Sequence, residues 1–142
     1  MRQKRRAPLR FVRLSMERVM IIDHIGLAVA DYEKSKEFYS KALAPLGIAL
    51  VMEVEGWVGF GKNGKPEFWC GVHRDKQRPM HIAFAADDRN QVKAFHAAAL
   101  SAGGKDNGAP GIRDIYHPNY YGAFVIDPDG HNIEAVCHKP ET

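Results

Sequence analysis

The chain has 142 residues, 45% of them hydrophobic and 26% charged, which suits one globular domain with a buried core and excludes a disordered or fibrous polypeptide. No apolar run approaches the length of a membrane span, so no membrane partner is expected. The net charge of +3 comes from residues 1–19, which hold seven basic residues and one acid; the remainder, with 13 basic and 16 acidic residues, lacks the basic face that nucleic-acid binding needs.

Residues 1–19 are therefore expected to be a disordered basic extension, with the folded domain running over 20–142. The first element is IIDHIGLAV (21–29), short, apolar and rich in β-branched residues, a strand. Asp31 stands where a carboxylate caps a helix start, and Tyr32, Ser35, Phe38, Tyr39, Ala42 and Leu43 recur at helical spacing until Pro45 and Gly47. Three strand candidates follow: 48–55, 56–62 and 67–72, with NGKP as a turn. MHIAFAA (80–86) is a strand again. Asp88 caps a second helix carrying Val92, Phe95, Ala99 and Leu100, which Gly103 and Gly104 end. KDNGAPGIRDIYHPN (105–119) reads as partly a loop, and YYGAFVIDP and HNIEAVCH are closing strands joined by DPDG. Cys70 and Cys137 each sit in an apolar strand-like run; buried free thiols in a reducing compartment, the cytoplasm, are expected.

The chain says nearly the same thing twice. Residues 23–47 and 80–104, offset by 57, share nine of 25 positions, among them His24/His81, Asp31/Asp88, Phe38/Phe95 and Gly47/Gly104. The unit is βαβββ, in modules of about 20–75 and 79–138. A unit this small cannot bury its own sheet face, so two must pair. The expected fold is α+β, two tandem βαβββ modules whose sheets curl towards each other into one mixed sheet around a cleft, with the helices outside.

Strand side chains alternate between faces. His24 shares a face with Gly26 and Ala28, and His81 with Ala83 and Ala85, while Ile25, Leu27, Ile82 and Phe84 point the other way. In each copy the histidine alone is large on a face otherwise kept small. Glu134, opposite in parity to Ile133, Ala135 and Cys137, faces the same way in the closing strand. A mid-strand carboxylate is costly to bury without a partner or a cation. Two imidazoles and a carboxylate on one concave surface suit a divalent ion with open coordination positions. His24, His81 and Glu134 are the candidate metal ligands.

The polar and aromatic run RDIYHPNYYG (113–122) adds further candidates. His117 or Tyr121 could act as general acid or base, Arg113 could hold a substrate anion, and Asn119 and Tyr120 stand beside them. Trp57, Phe60 and Trp69 would wall the cleft of the first module, which suits an apolar or aromatic substrate, or would be core. His73, His96, His131 and His138 read as structural or exposed.

The opening DHIGLAV-D-x-x-x-S-x-x-FY, the later HIAFA and the closing DPDGHNIE resemble the vicinal-oxygen-chelate superfamily, which holds glyoxalase I, ring-cleaving dioxygenases, fosfomycin-resistance thiol transferases and bleomycin-binding proteins. The resemblance covers about 21–138. It implies paired modules around a divalent metal (Fe, Ni, Zn, Mn or Co) that chelates a small substrate through two adjacent oxygens, with His24, His81 and Glu134 as ligands. It implies a lactoylglutathione lyase-like lyase or isomerase; the alternatives are an Fe(II) ring-cleaving dioxygenase, a thiol transferase or a non-catalytic drug-binding protein. It also implies a homodimer. Glyoxalase I-like members carry a fourth, acidic ligand on the last strand of the first module and a carboxylate base; Glu67 is the only candidate there, at the strand's beginning.

Overall fold

A computed structural model of the protein describes residues 22–75 and 77–141; the basic segment 1–19 lies outside them. The order is β1 (Ile25–Val29), α1 (Tyr32–Leu43), a 3-10 turn (Ala44–Leu46), β2 (Ala49–Val54), β3 (Trp57–Lys62), β4 (Lys65–Val72), then β5 (His81–Ala85), α2 (Arg89–Ser101), β6 (Lys105–Ile112), β7 (Tyr121–Ile126) and β8 (Asn132–Cys137). Each half is βαβββ. The strands form two four-stranded sheets of identical topology, β1-β4-β3-β2 and β5-β8-β7-β6, in which only the first pair is parallel.

Local chemistry accounts for the elements. Asp31 accepts from the backbone N–H of Lys34 at 3.0 Å, and Asp88 from that of Gln91 at 2.8 Å, so both acids cap free donors of the first turn, each worth about 0.5–2 kcal/mol. Glu55-Gly56 and Asn63-Gly64 both take positive φ, the two-residue hairpin turn whose twist matches its strands. The segment 105–119 is partly a loop, as its sequence suggests: the strand stops at Ile112 and turns follow. Residues 105–112 form an edge strand with two register breaks around Gly108, whose φ of +155° is a conformation that glycine adopts and side-chain-bearing residues rarely do.

The helices do not lie outside two facing sheets. α1 and α2 touch one another, and α2 lies on β6, β7 and β8. Leu27, Phe38, Tyr39, Phe60, Phe95, Val125 and Ile133 belong to one buried cluster that draws on both modules. Phe68 of β4 meets Phe84 of β5 edge to face at 5.3 Å. The reason is distribution of apolar surface. Leu27, Val29, Ile82 and Phe84 can be buried only on the helix side, whereas Gly26, Ala28, Ala83 and Ala85 offer little to bury. The protomer therefore closes on its helix side, and both histidine-bearing faces are left on its outside.

Candidate functional site

The first module presents His24 one residue before β1. Its side chain is 63% exposed, and Nδ1 lies 2.9 Å from Asp23. Lys65 meets the other Asp23 oxygen at 3.0 Å; the His24 hydrogen bond and then Lys65 hold the Asp23 carboxyl below its ordinary range. His24 lines a cavity of about 520 Å³ with Gly26, Val54, Glu55, Trp57 and Trp69. The two indoles lie over glycines of neighbouring strands. A Cβ at Gly71 would come within 2.4 Å of Trp57, and one at Gly59 within 3.0 Å of Trp69. Trp57 and Trp69 thus line this face as the sequence suggests, while Phe60 is fully buried in the core.

The second module presents His81 and Glu134. His81 Nδ1 lies 3.0 Å from the Asn132 carbonyl, a contact that requires the proton on Nδ1 and leaves Nε2 as the free lone pair. Nε2 stands 3.0 Å from Glu134 Oε2. A lone pair and a carboxylate oxygen at that distance call for a proton or a cation between them. Glu134 is 1% exposed, and its other oxygen accepts from the Tyr120 hydroxyl. Burial and then that hydrogen bond hold the Tyr120 phenol well above its ordinary range. Phe124 stacks on His81 at 6.1 Å, and the Arg113 guanidinium lies 5.5 Å over the same ring while donating to the Ala109 carbonyl at 2.8 Å.

Further along this face stand His117 and His138. His117 Nδ1 accepts the Asn119 N–H at 3.1 Å, so its proton sits on Nε2 and is donated to His138 Nδ1 at 2.7 Å. His138 had no signal of its own in the sequence beyond its parity with Glu134, two register steps away. Tyr121 lies elsewhere: it is 8% exposed on the core side, under the Arg89 guanidinium at 5.0 Å. Tyr121 therefore has no access to the face that carries His81 and Glu134, because its neighbour Tyr120 takes the outward parity.

Register places Glu67 as well. Gly26 pairs with Trp69 as its repeat counterpart Ala83 pairs with Glu134. Trp69 thus holds the position in the first module that Glu134 holds in the second. Glu67, two residues earlier and of the same strand parity as Trp69, lies 3.8 Å from Lys65, which also meets Asp23 at 3.0 Å, and its side chain is half-exposed.

The geometry brings His81 and Glu134 together, while Glu67 is linked to His24 through Lys65 and Asp23. Among the described residues no three His, Cys, Asp or Glu side chains are grouped to hold an ion, so one copy of the chain does not unite His24 with the other two. The donor set of the second module nevertheless fits a divalent cation: a free imidazole lone pair, a convergent buried carboxylate oxygen, and an orienting hydrogen bond behind each.

A family profile described as the Glyoxalase/Bleomycin resistance protein/Dioxygenase superfamily matches residues 21–135. Among solved structures, the chain is similar to a glyoxalase/bleomycin resistance protein from Albidiferax ferrireducens T118, at 30% identity and a TM-score of 0.73 over 82% of this chain and 98% of that one. A glyoxalase-related enzyme from Fulvimarina pelagi shares the fold at 20% identity, TM-score 0.64, over 81% and 86% of the two chains. A glyoxalase/bleomycin resistance protein/dioxygenase family enzyme from Burkholderia phytofirmans PsJN does so at 17%, TM-score 0.63, over 80% and 95%. No curated protein matches the chain.

Proposed function

The chain belongs to the glyoxalase/bleomycin resistance protein/dioxygenase superfamily, and from that premise we propose that it is a divalent-metal-dependent enzyme acting on a small substrate with adjacent oxygens, a glyoxalase-like lyase or isomerase. The observation that carries this reading is the convergence of His81 Nε2 and the buried Glu134 Oε2 at 3.0 Å. When bound, the ion would supply a Lewis acid to the substrate oxygens. His81 and Glu134 would hold it, each fixed by its own hydrogen bond. His24 would complete the set from a second copy of the chain, in a homodimer whose two sites each lie between a first-module face and the partner's second-module face.

Exposure supports that pairing. The His24 face carries Met52 and Val54 at 43% and 49% exposure beside the two indoles, an apolar surface that calls for a cover. Trp57 and Trp69 would exclude water around the substrate. Arg113 would hold an anionic substituent and Asn119 a polar one. The proton from substrate carbon would go to Glu67. The His117–His138 pair offers a second proton station, with His138 at its solvent end.

A shared site has a specific test. His24→Ala and Glu134→Ala chains, each losing Co²⁺ binding alone, are unfolded together and refolded. Half of the dimers are then mixed, and each mixed dimer has one intact site of two, so about a quarter of wild-type Co²⁺ capacity returns. No recovery would rule out ligands shared between copies, and full binding by either single variant would remove that residue from the set. Oxygen consumption by the Fe(II)-loaded protein with catechol-type substrates would instead favour the dioxygenase reading.

A further inference from the structure

Resting on the metal reading above, we propose that Tyr120 is the positioning residue of this centre: its hydroxyl takes one oxygen of Glu134 and leaves only the other to face His81. Three observations carry this. The phenol donates to Glu134 Oε1 while Oε2 faces His81 Nε2, so the two carboxylate oxygens have different partners. The Tyr120 ring is held by three others, Tyr116 at 4.7 Å, His138 at 5.2 Å and His117 at 5.5 Å, and the histidines are themselves joined at 2.7 Å. Room for the contact is made by Gly122, where a Cβ would lie 3.0 Å from Glu134 Oε1 and 3.3 Å from the Tyr120 ring.

The consequence is geometric. A carboxylate free to rotate can meet a cation through one oxygen or both. With Oε1 committed to the phenol, Glu134 presents one oxygen in one direction. Without the phenol, Oε1 is a buried acceptor lacking its donor, and the carboxylate turns to find another. The segment 113–122, read in the sequence as a source of acid–base and substrate-binding groups, then acts through Tyr120 on the carboxylate.

Tyr120→Phe keeps the ring and its clamp and deletes only the hydroxyl. The probe is Co²⁺, titrated into the full-length protein. Loss of an outer hydrogen bond to a ligand costs about 10–100-fold in metal affinity, and that weakening is expected here with unchanged circular dichroism. The visible Co²⁺ spectrum should shift in position and intensity as Glu134 changes its mode of binding, which a general loss of stability would not produce. Gly122→Ala should act in the same direction. Tyr32→Phe removes an equivalent phenol–carboxylate bond, to Glu53 at 2.7 Å, and should leave affinity and spectrum unaltered. Wild-type affinity and an unshifted spectrum in Tyr120→Phe would overturn the proposal. A wild-type protein that takes up no Co²⁺ at all overturns the metal reading and takes this one with it.

Discussion

Tyr39 is fully buried on α1, and its hydroxyl donates to Asp127 in the DPDG turn between β7 and β8. Asp127 also accepts the backbone N–H groups of Asp129 and His131 at 2.9 and 2.8 Å. Asp129 in turn accepts from the Ala30 N–H at 2.8 Å and from Ser35 at 3.3 Å. One turn of the second module thus satisfies the start of the first helix. Tyr39→Phe leaves a buried carboxylate oxygen without its donor, and removal of such a partner costs about 1–3 kcal/mol. The variant should lose that much in urea denaturation with an unchanged slope. An unaltered midpoint would mean that solvent replaces the phenol. The turn is legible as DPDG in the sequence, but its partner 88 residues away is not, because nothing local in either segment names the other.

At the level of elements, the repeat preserves residues whose physical reasons differ. Gly47 and Gly104 hold equivalent positions after α1 and α2. Gly47 has φ +74°, a left-handed conformation that disfavours a side chain. Gly104 is required for space instead: a Cβ there would lie 2.4 Å from Val125 and 2.9 Å from the Ala99 carbonyl. Gly104→Ala must therefore shift the end of α2 from β7. Overpacking of this kind costs about 1–3 kcal/mol, to be read from the urea midpoint, and a stability equal to wild type would show that α2 has slack. The same divergence separates Trp69 from Glu134, which sit at one register position in the two sheets. One module has an aromatic wall there and the other a buried carboxylate.

At the level of the whole molecule, the helix-side core leaves two chemically different faces outward, one with His24 and two indoles, the other with His81 and Glu134. If each centre needs both faces, ion binding depends on association of two chains. Co²⁺ affinity measured by dialysis should then fall as the protein is diluted through its dimer dissociation range, because a free protomer keeps only two of three ligands. Affinity independent of protein concentration down to the monomer would place all ligands within one chain.

The βαβββ repeat, both helix caps, the hairpin turns and the face on which each histidine lies follow from the sequence itself, because strand parity, capping and turn geometry are set within a few residues. DHIGLAV and HIAFA state the superfamily in the same local terms. Only the tertiary structure decided that the two helices meet, that Tyr121 is core while Tyr120 reaches Glu134, and that His24 stands apart from its expected partners within one chain. Those outcomes depend on which apolar faces bury one another across the modules, and that choice is made by non-local packing of surfaces that look alike in sequence.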